Sequence, residues 1–221
     1  MIPLRVETPS GKLPAITIAI ILCNILVFVH QLMLGPAETY FIWKYAVVPK
    51  AVVTLTPLHP ASTLFPPLTL ITSQFVHGGF LHIGFNMLFL WIFGDNVEAK
   101  LGHIRFAFFY LTCGVISALI QIASFPSAEL PVIGASGAIA GVMGAFFLRF
   151  PRTRVWTLLF IFFIIRIVRI PAVIFLGFWF IIQIVAGAPT IGTGQGGVAY
   201  FAHIGGFLSG MVLFKILEKN K

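Results

Sequence analysis

Long apolar runs alternate with short polar breaks along this chain, and that rhythm predicts its architecture. An uncharged run of about 20 residues is long enough to cross a bilayer as a helix. The first run is 13–34, after a polar segment with Arg5 and Lys12. The second is 79–94, closed by the polar run 95–100, and the third is 104–123. The fourth, 136–150, ends among Arg149, Arg152 and Arg154. The fifth is 171–187, and the sixth, 198–214, runs into Lys215, Lys219 and Lys221. The pattern predicts an all-α polytopic membrane protein. Six transmembrane helices, with a short fourth, form a single domain over 1–221.

The connectors differ in kind. Residues 35–78 carry Pro36, Pro49, Pro57, Pro60, Pro66 and Pro67 among aromatics and leucines. That stretch is too apolar for a solvated linker and too broken for one helix, which predicts a loop partly embedded in the membrane. The run 155–165 is apolar but stops at Arg166. At about 1.5 Å per residue it is too short to span, and it is read as an embedded or interfacial connector. Residues 188–197 read as a flexible Gly/Thr loop.

Composition agrees with the pattern. Hydrophobic residues make up 59% and charged residues 9%, with a mean hydropathy of +1.03. That leaves too little polar surface for a water-soluble globule. The net charge of +8 is explained by Lys and Arg collecting on one face, not by nucleic acid as a partner. With the N-terminus inside, the outer connectors hold only Lys44 and Lys50. Both termini are therefore expected in the cytoplasm, and 13–34 is read as an uncleaved span. Cys23 and Cys113 read as small buried hydrophobes, with no disulfide framework, metal site or cofactor implied.

Depth singles out three motifs. His82 and Ser136 each lie 13 residues from the cytoplasmic edge of their runs, and His203 lies 12 from its own, which puts all three about 20 Å up a helix. The fourth run is too short to cross alone, so 124–135 must dip inward to meet it, lining a wet cavity. Gly137, Gly141 and Gly144 share one helical face, as do His203, Gly206 and Gly210. Such small faces let backbones approach closely in lipid. Close packing would bring His203 to Ser136, the geometry of base and nucleophile. None of the six carboxylates is placed to make a third partner. A Ser136–His203 dyad is therefore expected, with the histidine oriented by packing. The Ser136 N–H at a helix start, with His82 and Asn86 one turn apart, would receive the oxyanion.

These residues resemble the rhomboid family of intramembrane serine proteases. The matching stretches are His82-Ile83-Gly84-Phe85-Asn86, Gly134-Ala135-Ser136-Gly137, and Ala202-His203-Ile204-Gly205-Gly206 with Gly210; His77 precedes the first at the family's interval. The resemblance covers about 13–214. It implies a six-helix bundle that cleaves transmembrane protein substrates near the outer end of their span, after a small residue. Ser136 would be nucleophile and His203 base, with His82, Asn86 and the Ser136 backbone at the oxyanion, and Gly134, Gly137, Gly141, Gly206 and Gly210 packing helices near the site. Substrate access would be gated around the fifth span, where Phe178 and Trp179 stand, and Glu98 would tie the inner end of the second span to its neighbours. A prokaryotic cell membrane is the expected setting. Two departures stand out. Trp43-Lys44 replaces a Trp-Arg pair in the first loop, and Ala140 replaces a tyrosine beneath the histidine. The alternative is a catalytically inactive chaperone or trafficking factor on the same scaffold, which would be expected to have lost the serine or histidine. A channel or transporter finds no intramembrane carboxylate to support it.

Overall fold

The computed structural model describes residues 1–161, 164–191 and 197–218. Residues 192–196 of the expected Gly/Thr loop, 162–163 of the expected connector, and Lys219 and Lys221 lie outside the described residues. Five helices are long and apolar enough to cross a membrane: α1 (Ala15–Met33), α5 (Phe80–Leu101), α6 (His103–Ser124), α8 (Ala172–Gly187, continued by a tight turn to Thr190) and α9 (Tyr200–Leu217). A shorter apolar helix, α7 (Ser136–Arg149), stands among them. Its 14 residues reach about 21 Å, short of a hydrocarbon core of about 30 Å.

The proline-rich stretch folds as short pieces: α2 (Glu38–Tyr45), α3 (Pro49–Thr54) and α4 (Thr69–Thr72), joined by tight turns. Several ties hold it to the rest of the molecule. Val47 pairs with Val132 through both backbone groups, at 3.0 and 2.7 Å. Lys50 meets Glu129 at 2.6 Å. Buried Gln31 on α1 donates to the His77 carbonyl (2.9 Å) and accepts from the His77 N–H (3.1 Å). Trp43, at the position of the departed Trp-Arg pair, stacks on His59 at 4.6 Å.

The fold is not all-α. Strands β1 (Ile2–Val6), β2 (Arg154–Ile161) and β3 (Ile164–Pro171) form an antiparallel sheet in the order β1-β2-β3. The expected connector at 155–165 is thus one arm of a hairpin, and the expected polar leader contributes an edge strand. Strand pairing satisfies backbone groups that an irregular apolar segment would leave bare. Val6, Val155 and Thr157 are buried beneath the sheet. On the opposite face the guanidinium groups of Arg5 and Arg169 both lie 4.6 Å from the Trp156 ring.

Two further expectations change. The polar run 95–100 does not end the second span as a loop, because α5 continues through it to Leu101. Helix α1 begins after Pro14 and has neither a side-chain cap of its own nor an acidic residue in its first turn. The missing acceptor comes from α5: buried Glu98 accepts from the N–H of Ile16 (2.9 Å), the N–H of Thr17 (2.8 Å) and the Thr17 hydroxyl (2.7 Å), and meets His103 Nδ1 at 2.5 Å. Asp95 likewise accepts from Ser10. Glu98 thereby caps α1 at its positive end, while Asp95 holds the segment that precedes it. Of the two cysteines, Cys113 is buried and Cys23 is exposed on α1. Helix α1 buries Thr17, Asn24 and Gln31 at intervals of seven residues while Leu22, Leu26 and Met33 face outward. This inverts the water-soluble pattern and fits a lipid solvent.

Glu98→Ala would leave buried donors unpaired. It is expected to destabilise the fold by about 2–5 kcal/mol, read as a lower thermal midpoint in detergent; an unchanged midpoint would show the cap to be dispensable. Burial, and after it the neighbouring His82, pull the His77 imidazole from 6.5 down to about 4. The unfolded chain then takes up this proton at higher pH than the folded one. The side chain's contribution is complete above pH 6.5 and is lost as pH falls toward 4. His77→Asn is expected to flatten the midpoint-versus-pH curve in that window, and an unaltered slope would remove His77 from the response.

Candidate active site

Ser136 opens α7, immediately after the turn at Gly134. The Gly134 backbone lies at φ +116°, and a Cβ built there would fall on the His82 imidazole. Glycine is therefore required twice at this position, for its backbone angle and for the close approach of His82. The Gly134 N–H is held by the Ser73 carbonyl at 2.9 Å, so the embedded loop fixes the turn that presents the serine. Gly134 was expected among the helix-packing glycines; its structural task is this turn.

The other glycines bring the helices together. Cβ atoms at Gly137 and Gly141 would collide with Ser117 and Cys113 of α6. Cβ atoms at Gly206 and Gly210 would strike the backbone of Gly137 and Gly141. Helices α7 and α9 therefore touch backbone to backbone, two glycines deep, with α6 closing the third side.

One turn above that contact, His203 Nε2 lies 2.8 Å from Ser136 Oγ. The other ring nitrogen, Nδ1, lies 2.8 Å from Oε1 of Gln183 on α8. Trp179, one turn earlier on α8, stands beside the imidazole with ring centroids 5.8 Å apart at 38°. Packing against His203 thus comes from α8, where Ala140 replaces the family's tyrosine. Phe178 is half-exposed on the same helix. Gln183 was not singled out in the sequence. The available signal was a lone amide in the fifth apolar run.

His82 and Asn86 face the serine from α5. His82 Nδ1 accepts from the Gly78 N–H at 3.3 Å, so a neutral ring carries its hydrogen on Nε2, the atom nearest Gly134. Asn86 Nδ2 is buried and has no hydrogen-bond partner among the described residues. His77 is fully buried and packs edge-on against His82 at 5.1 Å. Ser136, His203, His82 and Asn86 all line one cavity of about 630 Å³. Its remaining wall is mostly apolar, with Phe85, Phe89, Met143 and Trp179. Residues of the loop after α6, from Phe125 to Ile133, also border it. No Asp, Glu, Lys or Arg lines it among the described residues.

The arrangement holds a hydroxyl against a ring nitrogen, with two side-chain donors and a helix N-terminus nearby. That set can carry a proton from oxygen to nitrogen while donors face a developing negative charge.

Comparison with known proteins gives one answer. A Rhomboid domain matches residues 66–220. Over 191 residues the chain is 30% identical to Rhomboid protein 1, mitochondrial, of Saccharomyces cerevisiae, covering 82% of this chain and 49% of that protein. Over 76 residues it is 43% identical to Rhomboid protease GluP of Bacillus subtilis, covering 34% and 14%. Over 148 residues it is 34% identical to RHOMBOID-like protein 6, mitochondrial, of Arabidopsis thaliana, covering 67% and 43%. The chain spans about half or less of the length of these relatives. A polytopic bundle with this serine turn, and a domain match over most of its length, leave one assignment: the chain belongs to the rhomboid family.

Proposed function

We propose that the chain is an intramembrane serine endopeptidase, hydrolysing peptide bonds in or near the transmembrane segments of membrane proteins through a Ser136–His203 dyad. The observation that carries this reading is the 2.8 Å hydrogen bond between His203 Nε2 and Ser136 Oγ inside a shared cavity. The name Rhomboid protease GluP of the Bacillus relative supports the same class.

In this mechanism Ser136 Oγ attacks the scissile carbonyl carbon as its proton passes to His203 Nε2. The tetrahedral oxyanion is received by the Ser136 N–H, His82 Nε2–H and Asn86 Nδ2–H. Collapse breaks the C–N bond, and His203 returns the proton to the departing amine. Water then attacks the acyl ester, giving its proton to His203, and Ser136 is regenerated. The substrate is a transmembrane segment with a small residue before the cut. It would reach the cavity past α8.

In the same reading the chain is one domain crossing the membrane six times, with α7 as the sixth crossing and 124–135 carrying it to the outer surface. Both termini face the cytoplasm. Arginines at the other end of the bundle support that orientation, since Arg105 donates to the Leu217 carbonyl (3.2 Å) and Arg149 pairs with Glu218 (2.8 Å). We place the protein in a prokaryotic cell membrane, as a relative of the Bacillus protein; the yeast and Arabidopsis relatives are named mitochondrial.

Cleavage of a single-span reporter in liposomes tests the dyad. Ser136→Ala and His203→Ala are each expected to lower kcat by about 10⁴-fold or more. Undiminished cleavage by either would sink the dyad, and no cleavage by the wild type itself would leave a non-catalytic trafficking role on this scaffold. Asn86→Ala and His82→Ala are expected to lower kcat by about 10–10³-fold with KM little changed. A loss confined to KM would move these side chains from the oxyanion to substrate binding.

A further inference from the structure

We propose that Gln183 is the positioning residue of this site: its amide fixes the His203 tautomer that can accept the Ser136 proton. The inference rests on the Ser136–His203 reading above.

The direction of a hydrogen-bond chain follows from its one unambiguous end. Gln183 Nε2 lies 3.3 Å from the Trp179 carbonyl oxygen, one turn back on α8. A carbonyl only accepts, so the –NH₂ half of the amide must point there. The other half, Oε1, then faces His203 Nδ1 at 2.8 Å and can only accept. His203 Nδ1 must carry the hydrogen. Its Nε2 is left with a lone pair, directed at Ser136 Oγ 2.8 Å away. A backbone carbonyl of α8 therefore sets which nitrogen of α9 serves as base for the hydroxyl of α7. Gln183 is only 7% exposed, so water does not compete freely for either end of its amide.

The proton moves from Ser136 Oγ to His203 Nε2 and later to the amine nitrogen. Gln183 takes no proton at any step. It holds the Nδ1–H throughout, including while the ring is an imidazolium. An aspartate could do the same, at the cost of burying a charge at membrane depth. The neutral amide supplies orientation and tautomer selection without that penalty. Trp179 on the same helix limits ring rotation from the side, so α8 sets both the tilt and the protonation of the base.

Two variants separate this role from packing. Gln183→Met keeps similar volume and removes the acceptor. Gln183→Glu keeps an acceptor oxygen in place. In the liposome assay with the single-span reporter, the Met variant is expected to lose about 10–100-fold in kcat with KM unchanged, less than the reversal of a tautomer costs a triad. The Glu variant is expected to restore most of that loss. A packing role predicts the opposite order, and a Met variant with wild-type kcat would overturn the inference. A second arm needs no variant of Gln183. Nitrogen-15 NMR of histidine-labelled protein, with His203 assigned by its loss in His203→Ala, is expected to show the hydrogen on Nδ1. A hydrogen on Nε2 would overturn the inference even if the dyad stands. Retained cleavage by Ser136→Ala would overturn the dyad whatever the tautomer, so the two failures are distinguishable.

Discussion

The backbone contact between α7 and α9 is the constraint on which the rest of the site depends. A hydroxyl and an imidazole on neighbouring helices hold hydrogen-bond distance only if the register and separation of the two helices are fixed. Here Gly206 lies over Gly137 and Gly210 over Gly141, and a methyl group at either α9 position would strike backbone. The contact continues at Gly144, where an added Cβ would meet the Phe207 carbonyl. Three successive turns of α7 are thus locked to α9 before the side chains above them are placed. The 2.8 Å separation of Ser136 and His203 follows from that register.

Lipid as a solvent accounts for how the remaining pieces are tied. Apolar surface gains nothing by leaving hydrocarbon, so burial of leucine and isoleucine cannot hold this bundle together as it would in water. The exposed faces of α1 and α8 carry those residues. Among large buried side chains such as Phe93, Phe106 and Phe146, the interior also holds polar groups that specify the contacts: Thr17, Asn24 and Gln31 on α1, Glu98 on α5, Gln183 on α8. Each reaches a backbone group or another side chain. Glu98 caps α1, Gln31 grips the His77 backbone, and Gln183 bridges Trp179 to His203. The structure is specified by polar satisfaction and close packing, and hydrophobic runs settle only which segments enter the membrane.

This explains what could be read from the sequence. The apolar runs mark the long helices to within a few residues, because run length against membrane thickness is a strong physical signal. The short fourth run also reads through, since 14 residues cannot cross alone. Helix α5 outruns its apolar stretch because Asp95 finds a partner in Ser10 and Glu98 finds partners on α1, a long-range fact that no local window contains. The sheet was missed for a related reason. In 155–170 both strand faces are largely apolar, so the alternation that marks a strand is absent. The surviving signal was β-branched content: Val155, Ile165, Ile167, Val168 and Ile170. Ser136, His203, His82 and Asn86 stand out as polar groups in apolar runs. Gln183 stands out equally, yet carries no motif, and only the fold shows which atom it faces.

The cavity is built from neutral groups, and that choice follows from where it lies. In the proposed mechanism a carboxylate beside His203 would stabilise the imidazolium of acyl transfer, but would be buried unpaired in the resting state. Without it, the positive ring must be stabilised by dipoles already in position. The Gln183 oxygen is one such dipole, and the Trp179 carbonyl behind it orients that oxygen. On the opposite side, the Gly78 N–H turns His82 so that its Nε2 hydrogen points inward. In both cases a backbone group selects the tautomer of a histidine, and the two rings are set in opposite senses. His203 then presents a lone pair to the serine, and His82 presents a hydrogen to the cavity, where the proposed mechanism places the oxyanion. In the proposed mechanism one residue type thereby serves as base and as oxyanion donor in one cavity, distinguished only by which main-chain group stands behind it.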